Sequence, residues 1–260
     1  MPFMSRDGVS IHYSLEGPAG APVVLFSNSL GTSLSMWDEQ AAALRAHFRV
    51  LRYDTRGHGL SSVRPGPYSI AQLGGDVLGL LDHLGLQRVH MCGLSMGGIT
   101  AMWLAIHHPQ RLDRLVLANT AAYIGPPNGW TERAAAVERD GVGPIAAAVV
   151  ARWLTPDYAA SHGAQVVRLV GMLAATPPAG YAACCLAVRD NDLRGEVGAI
   201  GAPTLVISGS ADLPTPPADG RYLAAQIAGA RYAELPAAHL SNQQCPAQFT
   251  SLLKEFLPAQ

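Results

Sequence analysis

A serine between glycines is the first residue in the chain whose setting indicates chemistry. Ser95 lies in Gly93-Leu94-Ser95-Met96-Gly97, a G-x-S-x-G pattern between the apolar run Val89–Cys92 and a helical pattern. A sharp strand-to-helix turn forces such a serine into strained φ/ψ angles, and the two glycines let the neighbouring backbone approach. At a helix N-terminus, free N–H groups favour the negative charge of a tetrahedral intermediate. The pattern predicts that Ser95 is a nucleophile in acyl transfer.

A serine nucleophile needs a base to take its proton and an acid to orient that base. The setting of Ser95 resembles the nucleophile elbow of the α/β-hydrolases, in which serine, acid and histidine follow one another in that order. Two histidines, His162 and His239, lie beyond the helix that follows Ser95. Because His162 precedes the last predicted strands, the order selects His239 as the base.

Asp212 is the predicted acid. It follows the apolar run Thr204–Ser208, and groups that act on a ligand belong at the carboxyl ends of parallel strands. The alternative acids are Asp190, Asp192 and Glu234. The alternative role for Asp212 is a helix N-cap for the segment beginning near Pro216.

Two backbone N–H groups must stabilise the oxyanion of the intermediate. One comes from the residue after the nucleophile and the other from the loop after an early strand. Met96 is the predicted first donor. Leu30, in the loop that leaves the run Pro22–Phe26, is the predicted second donor.

The segment Asp54–Ser61 is rich in polar residues but is assigned a structural role. Asp54 and Arg56 are predicted to pair and to cap a glycine-rich loop beside Ser95. His58 precedes Ser95 in the chain, which is the wrong order for the base.

Short apolar runs alternate with helical patterns and must position these residues. The predicted strands are Val9–Leu15, Pro22–Ser27, Phe48–Tyr53, Val89–Cys92, Leu115–Ala118, Thr204–Ser208 and Tyr232–Leu235. The predicted helices are Trp37–Ala46, Ile70–Leu84, Gly98–His107, Ala218–Ala228 and Pro246–Leu257. Nearly continuous apolar strands that alternate with helices predict an α/β fold with a mostly parallel central sheet covered by helices.

The alternation stops after Asn119 and resumes at Pro203. This interval has helical spacing interrupted by prolines, and it predicts a helical cap inserted after the strand near 115–118. The expected division is a core of residues 1–120 and 197–260 and a cap of residues 121–196. Aromatic residues in the insertion suit a lid over a concave site. The alternative is a packing subdomain with no catalytic role.

Composition narrows the class of partner and the compartment. The formal net charge of the 260 residues is -1, which argues against nucleic acid or a membrane surface and leaves a small-molecule substrate. The longest apolar run, Ile145–Ala151, is too short to span a bilayer. The N-terminal residues lack the apolar stretch of a signal peptide. Four cysteines without C-x-x-C or metal-ligand spacing predict buried thiols in a cytoplasmic protein.

The motifs together resemble those of the 3-oxoadipate enol-lactonases within the α/β-hydrolase superfamily. The resemblance rests on C-G-L-S-M-G-G, D-T-R-G-H-G-x-S, A-A-H-L-S-N-Q-Q and the cap motifs L-A-N-T-A-A, W-x-x-R and R-W-L-T-P. Asn28 and Ser29 depart from the usual His-Gly pair before the oxyanion donor. The resemblance implies a Ser95–His239–Asp212 triad that hydrolyses a five-membered enol-lactone with an acetate side chain, and it implies no metal or organic cofactor.

A substrate carboxylate calls for an arginine in the cap, because Lys254 is the only lysine in the chain. Arg133 is the predicted ligand, with Trp130 and Trp153 as apolar walls, and Arg189 is its main rival. The alternative functions are a general carboxylesterase or cofactor-free perhydrolase on the same triad, a C–C hydrolase, or a non-catalytic ligand-binding protein with the same fold.

Overall fold

A computed structural model describes residues 2–258, which form one eight-stranded sheet and the helices around it. The strands are β1 (Phe3–Arg6), β2 (Val9–Glu16), β3 (Val23–Ser27), β4 (Arg49–Tyr53), β5 (Val89–Leu94), β6 (Leu112–Ala118), β7 (Thr204–Gly209) and β8 (Arg231–Leu235). The helices are α1 (Asp38–Leu44), α2 (Ile70–His83), α3 (Met96–His107), α4 (Pro127–Asp140), α5 (Gly143–Val150), α6 (Pro156–Ser161), α7 (Gly163–Ala174), α8 (Pro178–Arg189), α9 (Pro217–Gln226), α10 (Ser241–Gln244) and α11 (Pro246–Phe256).

The sheet has the strand order β1-β2-β4-β3-β5-β6-β7-β8. β2 pairs antiparallel with β1 and β4, and the other neighbours pair parallel. β3, β5 and β7 are buried at every residue, so both of their faces are covered, as continuous apolar runs require. The prediction of a mostly parallel sheet covered by helices is confirmed.

β1 was not among the predicted strands. It has four residues, three of them exposed, and its sequence shows no apolar run. The turn Asp7-Gly8, with φ angles of 52° and 73°, joins β1 to β2. A two-residue turn of this type is a hairpin signal, and it was the local indication of the extra strand.

Helices α4–α8 lie between β6 and β7, within the predicted interval 121–196. β6 and β7 are themselves neighbours, with Leu115 opposite Thr204, so the insertion leaves and rejoins the sheet at one place. Prolines begin helices of this insertion rather than merely interrupting it: α4, α5, α6 and α8 each have proline in the first turn, where the missing N–H has no intrahelical partner. In residues 2–258 no single helix is long and apolar enough to span a bilayer, and only α7 and α8, bent by 91°, pass that test together.

The four cysteines are free thiols, three of them buried and Cys245 partly exposed. Burial raises the pKa of the Cys185 thiol to about 12 and also raises those of Cys92 and Cys184. A thiolate is the nucleophilic form of cysteine. These three thiols therefore offer no nucleophile near neutral pH.

Candidate active site

Ser95 stands at the turn between β5 and α3, with φ 57° and ψ −120°. Its N–H donates to Ala118 O at 3.0 Å, and its carbonyl accepts from Thr120 Oγ1 at 2.8 Å. A Cβ on Gly93 would lie 2.2 Å from the Gly97 carbonyl oxygen, so no larger residue fits there. The strained serine and its close-packed glycines have the geometry that the motif predicts.

Asp212 and His239 meet at the same edge of the sheet. Asp212 follows β7 and His239 follows β8, and His239 Nδ1 lies 3.0 Å from both carboxylate oxygens. Each residue is only 3% exposed. With Nδ1–H donating to Asp212, Nε2 is the nitrogen left to accept a proton. The structure thus brings the predicted acid and base together.

The Asp212 carboxylate is held in its charged form. Burial by itself would raise the pKa of Asp212, but the charge and hydrogen bond of His239 outweigh burial, with help from Asn119 Nδ2 and the Thr215 N–H. The net effect lowers the pKa below its usual range. A carboxylate that stays ionised can orient the imidazole and stabilise the imidazolium that forms during catalysis.

The alternative acids have other partners. Asp190 and Asp192 pair with arginines on the surface of the insertion, and Glu234 pairs with Arg221 at 2.7 Å. His162 stacks on Tyr158 with ring centroids 3.8 Å apart. None of these four residues lines the cavity that contains Ser95 and His239.

Leu30 and Met96 line the same cavity as Ser95. Met96 is the first residue of α3, so its N–H has no intrahelical acceptor. Within residues 2–258 the Leu30 N–H donates no hydrogen bond, whereas the next N–H, that of Gly31, donates to His58 Nε2 at 2.9 Å. Both predicted oxyanion donors are therefore free to bind a ligand.

Side chains hold the loop that carries Leu30. Asn28 donates to Tyr53 O at 2.7 Å and accepts from Trp37 Nε1 at 3.0 Å, so this departure from the usual His-Gly pair anchors the loop. Burial lowers the pKa of His58 to about 4, against the opposing hydrogen bond to Arg56 O and the charge of an aspartate. His58 is therefore neutral near pH 7 and serves as an acceptor in the loop.

The predicted pairing of Asp54 with Arg56 is wrong. Asp54 Oδ2 lies 2.7 Å from His12 Nδ1 on β2, and the Arg56 guanidinium donates to both oxygens of Asp76 on α2 at 2.5 and 2.6 Å. The two side chains leave the loop toward different elements. Each finds a buried partner far away in sequence, which local spacing did not reveal.

The cavity of about 210 Å³ lies between the elbow and the insertion. Trp130, Arg133 and Trp153 all line it, and the Arg133 guanidinium lies over the Trp130 ring, 4.9 Å from its centroid. Arg189, the rival of Arg133, does not line this cavity and donates instead to Asp190 at 2.7 Å. The structure brings the three predicted cap residues to the triad.

The alpha/beta hydrolase fold family matches residues 22–243, which is most of the chain. The chain belongs to the α/β-hydrolase family. Its parallel sheet, elbow and order of serine, aspartate and histidine agree with that membership.

Several α/β-hydrolases are similar over nearly their whole length. A 3-oxoadipate enol-lactonase of Acinetobacter baylyi is 44% identical over 95% of this chain and 92% of its own. The crystal structure of the enol-lactonase from Burkholderia xenovorans LB400 has a TM-score of 0.97 and 48% identity, covering 98% of this chain and 99% of its own. A hydrolase from Pseudomonas aeruginosa has a TM-score of 0.96 and 50% identity, covering 99% and 98%.

A second arginine also faces the site of this α/β-hydrolase. Arg152 lines the cavity, although the sequence assigned it no role. In residues 2–258 neither Arg133 nor Arg152 has a carboxylate within 4.0 Å, and no acidic residue lines the cavity. One indication in the sequence that Arg152 faces the site is its position next to Trp153, a predicted apolar wall. The site is a small pocket lined by two arginines and, among the described residues, by no carboxylate.

Proposed function

We propose that this protein hydrolyses 3-oxoadipate enol-lactone to 3-oxoadipate, with residues 121–196 as the cap over the site. One observation carries the choice of an anionic substrate: the cavity beside Ser95 holds two arginines and no carboxylate among its lining residues. A cationic pocket stabilises the acetate group of the lactone, and a bidentate guanidinium fits a carboxylate. The similarity to enol-lactonases over nearly the whole chain supports the same substrate.

The geometry supports an acyl-enzyme mechanism. His239 Nε2 takes the proton of Ser95 Oγ as this oxygen attacks the lactone carbonyl. The N–H groups of Leu30 and Met96 stabilise the oxyanion. The ring C–O bond then breaks, and the departing enolate oxygen takes the proton from His239.

Deacylation uses the same groups. Water loses a proton to His239 as it attacks the acyl carbon, and Ser95 leaves with that proton. The released enol tautomerises to the ketone. The acyl group thus passes from the ring oxygen to Ser95 and then to water, and His239 carries the proton in each transfer.

Loss of ultraviolet absorbance by the enol-lactone tests the proposal, with p-nitrophenyl acetate as a neutral ester. Ser95→Ala should abolish turnover of both substrates. Arg133→Gln should raise KM for the lactone about 10- to 100-fold, because a charge-assisted hydrogen bond contributes roughly 1.5–3 kcal/mol, and should leave p-nitrophenyl acetate unchanged. Arg139→Gln, on the exposed surface of α4, is the control for net charge.

Two results would overturn this assignment. A wild-type protein that cleaves p-nitrophenyl acetate well but leaves the lactone at its background rate is a general esterase. An unchanged KM for the lactone in both Arg133→Gln and Arg152→Gln would show that neither arginine binds the substrate carboxylate, which removes the observation that favours an anionic substrate.

A further inference from the structure

A buried asparagine beside the triad makes contacts that extend beyond its hydrogen bond to Asp212. Asn119 follows β6 and is 1% exposed. Its φ of 45° lies in the left-handed region, which asparagine tolerates better than most residues. Its N–H donates to Ile207 O on β7 at 2.8 Å. The backbone thus fixes the side chain at the carboxyl ends of these neighbouring strands.

The amide of Asn119 joins the acid to the loop that carries the base. Nδ2 donates to Asp212 Oδ2 at 2.9 Å and to Ala238 O at 3.1 Å. Oδ1 accepts from Ser241 Oγ at 2.5 Å. Ala238 and Ser241 lie on either side of His239 in the chain, so one side chain is bound both to the carboxylate and to the segment around the imidazole.

The orientation of this amide is determined by its partners. A flipped amide would place Oδ1 against a carboxylate oxygen and a carbonyl oxygen, which are both acceptors. Thr215 also donates to Asp212, through Oγ1 at 2.8 Å, and the same oxygen lies 3.4 Å from Nδ1 of the His239 ring. Asn119 differs from Thr215 because it joins the carboxylate to the chain on both sides of the ring, at Ala238 and Ser241.

We propose that Asn119 is a positioning residue that sets the distance and orientation between Asp212 and His239. This role rests on the proposed serine-hydrolase mechanism but not on the identity of its substrate. Without the bridge, the histidine loop moves relative to the acid, and Nε2 is misplaced relative to Ser95 Oγ. A misplacement of about 1 Å in such a constellation costs roughly 100-fold in rate.

Two substitutions test the proposal. Asn119→Gly removes the amide and keeps a residue for which φ 45° costs little. It should lower kcat about 10- to 100-fold with KM nearly unchanged, because substrate contacts remain. Ser241→Ala removes one anchor and should give a smaller loss. Activity is measured on both the lactone and p-nitrophenyl acetate. If the protein does not hydrolyse the lactone, the effect of each substitution on kcat can still be measured with the ester.

Asn119→Asp gives the second readout. The new carboxyl takes the place of the amide that donates to Asp212 at 2.9 Å, and Asp219 at the start of α9 is a further acid near Asp212. Because two carboxylates this close do not both ionise, the carboxyl at position 119 holds a proton and donates to Asp212 as the amide does. Activity should therefore be largely retained at low pH and should fall as the pH rises and the second carboxyl ionises, whereas Asn119→Gly should be impaired across the whole pH range.

An activity-independent measurement completes the experiment. The proton between His239 Nδ1 and Asp212 gives a downfield ¹H resonance, which should weaken or shift in Asn119→Gly. Thermal unfolding of each variant shows whether it is folded. The proposal is overturned if folded Asn119→Gly retains kcat within twofold, if its downfield resonance matches wild type, or if Asn119→Asp is no more active at low pH than Asn119→Gly.

Discussion

Replacing His58 with leucine should slow acyl transfer without weakening substrate binding. Leucine keeps the position buried and apolar but cannot accept the Gly31 N–H, now bound at 2.9 Å by His58 Nε2. That contact orients the peptide next to the Leu30 N–H. Loss of one oxyanion donor costs roughly 100- to 1,000-fold in kcat. Because Asn28 still anchors the loop, we expect about 100-fold for His58→Leu.

The assay separates this effect from lost binding or lost fold. We expect kcat to fall and KM for the lactone to stay within about twofold, because the donor acts on the oxyanion rather than on the ground-state carbonyl. A boronic acid that forms a tetrahedral adduct with Ser95 should bind more weakly in the same proportion. His58→Gln offers an amide oxygen as acceptor and should recover part of the loss.

Two outcomes would refute this reasoning. One is a folded His58→Leu protein with kcat within twofold of wild type, which would show that the Leu30 peptide is oriented without His58. The other is a His58→Gln protein no better than His58→Leu, which would show that accepting the Gly31 N–H is not the function of the ring.

The remaining predictions concern stability and are tested by urea unfolding. Since the folded-state pKa of His58 is about 4 against 6.5 unperturbed, the unfolded chain binds its proton first as the pH falls. The neutral, buried His58 therefore contributes about 3 kcal/mol to the free energy of unfolding above pH 6.5, and this contribution should be lost as the pH falls from 6.5 to 4. The free energy of unfolding of His58→Leu should lack this part of the pH dependence. Asp76→Asn leaves Arg56 buried without its counter-ion and should cost about 3–5 kcal/mol. Asp140→Asn, in an exposed pair with Arg139, should leave the unfolding midpoint unchanged, and equal effects of the two substitutions would contradict this account.

Parts of the fold and site with a local signal were predictable. Continuous apolar runs indicated the buried strands, and the glycines around Ser95 indicated the turn, because backbone crowding there leaves no room for a Cβ. The elbow then restricted the search for His239 and Asp212 to the chain beyond it. At these positions the local sequence pattern and the packing favour the same structure. The order of residues along the chain was therefore enough to predict the strands, the turn and the triad.

What the sequence missed depends on contacts between distant residues. Asn119 binds groups 93 to 122 residues away, and the motif L-A-N-T-A-A in which it lies gives no indication of these partners. The pairs of Asp54 and Arg56 likewise come from other elements. Arg152 was overlooked because an arginine in a helical insertion more often faces solvent, and its position next to Trp153 was a weak indication that it borders the cavity.

The insertion joins the sheet at one place, so selection for substrate binding and selection for catalysis can act on different parts of the chain. Because β6 and β7 are adjacent, with Leu115 opposite Thr204, a whole block of helices can be exchanged, lengthened or shortened while the register of the strands stays the same. Substitutions in these helices alter the shape and the charge of the cavity that binds the acyl group. The reaction itself depends on residues outside the block, so new specificities can arise in this architecture without rebuilding the catalyst.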